Sequence, residues 1–250
     1  VLPMSGDVGS QYTPAAGWAQ SALYHRDVLR EKSWNNCIAV ALGGEASVAT
    51  NGFWSALTMA TTLKLPMLFY IEENGLGISV RGEMQTPGGN IAANLASFEN
   101  LLVRDGDGCD PAAAAPLIAE CVDHVRAGSG PALVRLTVPR LSSHSGPDNQ
   151  RGYRTEREIA GDAARDPWPK LRAHLVPALL SERDWTALEA EVVRDVATGL
   201  AAARARPIPE PTEVKRFVYA EAQRDGDVAT FGGLSGEARA ALGGTDVPDS

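Results

Sequence analysis

Two short apolar runs limit what this chain can fold into. Ile38-Ala39-Val40-Ala41-Leu42 leads into Gly43-Gly44-Glu45-Ala46-Ser47, and Pro66-Met67-Leu68-Phe69-Tyr70-Ile71 leads to Asn74-Gly75. Between them, Phe53, Ala56, Leu57 and Ala60 recur at helical spacing from Gly52 to Leu63. Strand, turn, helix and strand in so short a span make a βαβ unit. Strands that are apolar throughout suit a parallel sheet buried on both faces.

The same pattern continues downstream. Asn90–Leu101 reads as a helix and Leu102-Val103-Arg104 as a short strand running into Asp105. Asp110-Pro111 caps a helix reaching Arg126, with Gly128 at its end, and Pro131–Val138 is a further strand. Upstream, an Ala-rich helix is expected from Ala15 to about Arg30. The fold class is therefore α/β, an open, mainly parallel sheet flanked by helices, with a helical C-terminal part. Ligands of such sheets bind at the carboxyl ends of the strands, where Gly44, Asn74, Asp105 and Arg140 fall. Arg140–Tyr153 is a long polar loop, and Asp166–Ala205 is helical with a break near Pro177. The expected organisation is an α/β domain over 1–160, a helical extension with a Pro-rich strap over 161–219, and a tail or linker over 220–250.

Composition narrows the function. A formal net charge of −8 argues against a nucleic-acid binder, and no stretch is long and apolar enough to span a membrane. Cys37, Cys109 and Cys121 have no metal-ligand spacing, and Cys37, in an apolar run, is expected to be a buried reduced thiol. That usage fits the cytoplasm, or the mitochondrial matrix in a eukaryote.

The chemistry centres on Glu45 and Asn74, 29 residues apart at the ends of the two runs. A carboxylate oxygen from Glu45, the amide oxygen of Asn74 and the carbonyl of Leu76 could ligate a divalent cation. The N–H groups of Ala46 and Ser47, just ahead of a helix, could face phosphate oxygens. The alternative is plain: Gly43-Gly44 is only a strand-to-helix turn and Asn74-Gly75 only a turn dipeptide. Asp105-Gly106-Asp107-Gly108 lacks the glycine and glutamate of a calcium loop, and Gly75-Leu76-Gly77 lacks the third glycine of a dinucleotide fingerprint. His144 stands in the polar loop with Arg140, Asp148, Tyr153 and Arg154 around it, and a surface role is its ordinary reading.

These residues, in this order, resemble the alpha subunit of the thiamine-diphosphate-dependent first component of 2-oxo acid dehydrogenase complexes. The likeness runs from about Gly6 to Tyr219. Glu45, Asn74 and Leu76 match the magnesium ligands of that family without a gap, although the family has aspartate where this chain has Glu45 and asparagine where it has Glu73. The resemblance implies a thiamine diphosphate-binding fold and oxidative decarboxylation of a 2-oxo acid, pyruvate or a branched-chain one, with acyl transfer to lipoyl groups. It implies that Gly44, Ala46, Ser47 and Arg140 serve the diphosphate, that Gly6 and Val8 hold the aminopyrimidine by their backbone, and that His144 lies near the cofactor as the catalytic histidine. It further implies a beta subunit or fused beta half, an alpha2–beta2 assembly, and a lipoyl-bearing acyltransferase partner. The alternatives are a non-catalytic subunit that kept the fold and a transketolase-like enzyme.

Overall fold

The computed structural model describes residues 6–211. Four strands form one parallel sheet in the order β1 (Ala39–Gly44), β2 (Met67–Glu73), β6 (Ala132–Thr137), β5 (Leu102–Asp107). A two-stranded antiparallel hairpin, β3 (Leu76–Gly77) and β4 (Val80–Arg81), follows β2 directly. The parallel register aligns Gly44 with Glu72, and Glu73 with Thr137, so the strands finish at one level. That shared carboxyl edge is where the polar residues gather.

Alternation along the strands sorts the core into two layers. Phe69, Ile71 and Leu133 face α1 (Tyr12–Leu23), α2 (Asn51–Leu63) and α3 (Ile91–Asn94). Leu68, Val134 and Leu136 face α4 (Pro111–Arg126). Burying a side chain such as Leu57 or Leu133 completely, as here, contributes about 1.5–3 kcal/mol. On the first face Tyr12, Phe53 and Phe69 form an aromatic trio. Phe53 meets both others edge-on at 5.2 and 5.6 Å, and Tyr12 stacks on Phe69 at 6.0 Å.

Several expectations shift. Strand β1 is at the edge of the sheet, so Val40 and Leu42 are 47% and 63% exposed while Ala41 is buried. The helix expected over Asn90–Leu101 is only the four-residue α3. Asn90 caps it by accepting from the Ala93 N–H at 2.9 Å, but the polar run after Leu95 turns away and Asn100 adopts a positive φ of 59°. Helix α1 starts earlier than expected and passes into a π-helical turn at Tyr24–Val28. Cys37 is exposed, because it sits in the turn before β1 rather than in the strand.

After β6 come α5 (Glu156–Ala163), α6 (Pro167–Leu175) and α7 (Glu182–Ala205), with the expected break falling between the last two. The described residues divide into two units that meet between Trp185 and Thr186. Within the first, Trp185 is buried against Trp168. In the second, α7 leaves Leu188, Val192, Val196 and Leu200 exposed. Residues 212–250, with the end of the strap and the expected tail, lie outside the described residues. No described helix is long and apolar enough to cross a membrane.

Candidate active site at the carboxyl edge of the sheet

The turn after β1 brings its groups inward. Gly43 stands near the end of β1 where a side chain has no room. A Cβ on Gly43 would fall 2.1 Å from the Tyr12 hydroxyl and 2.4 Å from Ser47 Oγ. In the space that glycine leaves, the Tyr12 hydroxyl meets Ser47 Oγ at 2.6 Å, and Ser47 Oγ donates to the Gly44 carbonyl at 2.6 Å. Burial pushes the Tyr12 hydroxyl up to about 12, with the Ser47 hydrogen bond pulling the other way. Gly43→Ala must eject one of these hydroxyls, a loss of about 2–3 kcal/mol from overpacking and broken hydrogen bonds. Thermal unfolding reads this directly. A variant within about 1 °C of the parent would show the turn to be slack.

Glu45 follows, 3% exposed. Its Oε2 accepts from the Asn74 N–H at 3.3 Å, while Oε1 is buried with no hydrogen-bond partner. Burial raises its carboxyl above the usual range, and the surrounding backbone N–H groups of Glu45, Asn74 and Leu76 offset this in part. A buried carboxylate oxygen with no donor is costly unless something cationic meets it. Asn74 Oδ1 accepts from the Leu76 N–H at 3.1 Å, which leaves the oxygen a second lone pair. Glu45, Asn74 and Leu76 are thus one hydrogen-bonded unit. Leu76 lies in β3 of the hairpin rather than in the turn, and Gly75, at a φ of 79°, makes the bend that returns the chain. The donor set suits a hard divalent cation that keeps other oxygen ligands. Among the described residues, no group of three or more His, Cys, Asp and Glu side chains is placed to hold a metal ion.

The flanking segments pack around this unit. Ala46 lies under the hairpin, since a Cβ on Gly77 would come 2.9 Å from the Ala46 methyl. Thr50 caps α2 by accepting from the Phe53 N–H at 3.4 Å. The Gly6–Ser10 loop rests against this cap. Gly9, at a φ of 85°, has Thr50 where a Cβ would go, and a Cβ on Gly52 would meet the Gly9 carbonyl at 2.7 Å. Gly6 and Val8 are exposed on the same loop. Gln11 spans from the loop to β1, donating to the Leu42 carbonyl at 2.8 Å.

The polar loop after β6 joins the hairpin through Arg140. Its buried guanidinium donates to the Ile78 carbonyl, to Tyr153 Oη at 2.8 Å and to Asp148 Oδ2 at 3.3 Å. Asp148 also takes the Tyr153 hydroxyl and the His144 N–H, and these bonds hold its carboxyl below the usual carboxylate range. The His144 side chain is exposed, so the structure fixes its backbone rather than its ring. Of the expected residues, Glu45, Asn74, Leu76, Gly44, Ala46 and Ser47 come together. Arg140 and His144 reach that group only through Ile78 and Asp148.

Three features escape a sequence reading. Arg135 interrupts the apolar run Ala132–Leu136 and pairs with Glu73 and Asp105, and a lone charge in a central strand is the signal that marks it. Tyr12 reaches across 35 residues to Ser47, which no local pattern encodes. The third is α5, announced by Thr155-Glu156-Arg157-Glu158, a capping box in which Thr155 Oγ1 accepts from the Glu158 N–H and Glu158 Oε2 from the Thr155 N–H at 2.7 Å. Arg81 of the hairpin meets Glu158 Oε1 at 2.7 Å. The Thr155 backbone N–H, then its hydroxyl, then Arg81 hold the Glu158 carboxyl down to about 2, from 4.5. A depressed acid contributes stability above its unfolded pKa and loses it as pH falls through the folded one. Amide protection in the first turn of α5, measured as exchange relative to the intrinsic rate at each pH, should therefore fall specifically between about pH 4.5 and 2. Glu158→Gln should flatten that dependence, and an unchanged profile in the variant would assign the effect to another group.

Comparisons with known proteins bear on this arrangement. The family described as dehydrogenase E1 component matches residues 1–212. The chain is 30% identical over 173 residues to a 3-methyl-2-oxobutanoate dehydrogenase subunit alpha of Mycobacterium tuberculosis, covering 69% of this chain and 45% of the relative. It is 26% identical over 208 residues to the pyruvate dehydrogenase E1 component subunit alpha of Porphyra purpurea, covering 83% and 60%. It is 28% identical over 174 residues to the corresponding subunit of Mycoplasma pneumoniae, covering 70% and 46%. The chain spans about half the length of these relatives.

Proposed function

The chain belongs to the dehydrogenase E1 component family, and on that footing we propose that it is the alpha part of a thiamine-diphosphate-dependent 2-oxo acid dehydrogenase. The observation that carries this is the buried, unpartnered Oε1 of Glu45, set against Asn74 at the ends of two parallel strands. The relatives' names point to pyruvate or 3-methyl-2-oxobutanoate as substrate.

In this reading Glu45, Asn74 and the Leu76 carbonyl hold magnesium. Gly44, Ala46 and Ser47 offer backbone to the diphosphate, and Gly6 and Val8 offer theirs to the aminopyrimidine. Bound thiamine diphosphate supplies the carbanion-stabilising chemistry of decarboxylation, and the protein supplies position and field. Ser47 keeps the turn in shape, since its hydroxyl is committed to the Gly44 carbonyl. Arg140 ties the loop to the hairpin through Ile78, Asp148 and Tyr153, and its guanidinium has five donors from which to serve a diphosphate as well. His144, anchored by its N–H and free at its ring, is disposed to serve acyl transfer at the mouth of the site. A beta subunit or fused beta half completes the enzyme, an alpha2–beta2 assembly delivers the acyl group to a lipoyl-bearing acyltransferase, and the compartment is cytoplasm or mitochondrial matrix.

Titration calorimetry with thiamine diphosphate and magnesium, with the beta partner present, tests the proposal. Saturable heat that depends on both ligands supports it. Absence of binding in both the parent and Glu45→Asp would overturn it in favour of a non-catalytic subunit. Dye-linked turnover of pyruvate against 3-methyl-2-oxobutanoate then assigns the substrate.

A further inference from the structure

Arg135 is a charge within a strand that is otherwise apolar from Ala132 to Leu136. It stands in β6, between β2 and β5, on the face that carries Leu133 and the aromatic trio. Its side chain is 10% exposed. Its Nε and Nη2 engage both oxygens of Glu73, the latter at 2.7 Å, and Nη1 donates to Asp105 Oδ1 at 2.7 Å. Asp105 is fixed in turn by Asn90 Nδ2 at 2.9 Å. This fork-to-fork geometry fixes direction as well as charge.

Glu73 immediately precedes Asn74, whose N–H binds Glu45. Its main chain is held by the Val138 N–H at 2.9 Å. A second carboxylate therefore stands one residue from the proposed cation ligands, and among the described residues Arg135 is what occupies its oxygens. A free carboxylate there would add a ligand and a negative charge. Added charge and ligand number shift a site from magnesium toward larger cations and oppose an incoming diphosphate.

We infer that Arg135 is a positioning residue for the cation site: by holding both oxygens of Glu73 it withholds that carboxylate and leaves Glu45 as the sole carboxylate ligand. The inference rests on the cation reading of Glu45 and Asn74.

The test is a titration of Mn2+ and of Ca2+ into the full chain with its beta partner and thiamine diphosphate. Bound Mn2+ is read by electron paramagnetic resonance, and Ca2+ by its competition. Glu73→Gln should change Mn2+ affinity less than about twofold, because the withheld carboxylate is not a ligand. Arg135→Met should release it, strengthening Ca2+ competition by about tenfold or more and weakening thiamine diphosphate by a similar factor. The Glu73→Gln/Arg135→Met double variant should return both to the parent's values. A tenfold loss of Mn2+ in Glu73→Gln would overturn the inference. So would a folded Arg135→Met with unaltered cation preference, or a double variant that keeps the change. If Arg135→Met does not fold, Arg135→Lys, which can hold only one Glu73 oxygen, should strengthen Ca2+ competition in the same direction by a smaller factor, and no shift there would overturn the inference. Glu45→Gln is the control: parent-like Mn2+ binding there refutes the cation reading itself, whereas lost binding with inert Arg135 variants refutes only this inference.

Discussion

Glu45→Gln is expected to weaken magnesium-dependent binding of thiamine diphosphate by on the order of 100-fold while leaving the fold intact. The substitution keeps volume, and its amide oxygen can still accept from the Asn74 N–H, which Glu45 meets at 3.3 Å. What it removes is the charge that a cation would meet at the unpartnered Oε1. Without ligand the variant should also unfold at a higher temperature near neutral pH. Burial raises the Glu45 carboxyl, so the parent loses stability as pH rises through that elevated value, and the glutamine variant does not. The stability gap should widen with pH and close when magnesium and thiamine diphosphate are added to the parent. Calorimetry and melting curves together decide. Affinity within threefold of the parent would remove Glu45 from the site.

The largest stability effect is expected at Phe53. Phe53→Ala should cost about 3–5 kcal/mol in urea unfolding. The ring is fully buried and touches Tyr12 and Phe69 edge-on, so its loss opens a cavity between α1, α2 and β2. The damage should reach the site, because Tyr12 leans on Phe53 and its hydroxyl supports Ser47. Weaker cofactor binding should therefore accompany the lower stability. A cost below about 1 kcal/mol would mean the two helices close over the gap.

The βαβ unit was legible in the sequence because its strands, helix and turn residues agree with one another. Phe53, Ala56, Leu57 and Ala60 are all buried on one face of α2, at the spacing that named it. Glu45 and Asn74 were legible as partners because strand ends in a parallel sheet share a level. The failures have physical causes as well. The edge position of β1 depends on strand order, which hydropathy does not encode, so Val40 and Leu42 read as core. In the stretch after Leu95, polar turn formers outweigh helical spacing. The contacts of Arg140 with Ile78, Asp148 and Tyr153 were not legible either, because they join segments that only folding brings together.

Ile78 gives the hairpin one more property. It is β-branched yet adopts a φ of 57°, a conformation that costs of order 1–3 kcal/mol. Arg140 grips the carbonyl of this residue. A tip held in so narrow a backbone well has few ways to yield gradually. Releasing the Ile78 carbonyl from Arg140 therefore removes a tie between the hairpin tip and the loop after β6, while the Arg81–Glu158 pair still moors the hairpin to α5.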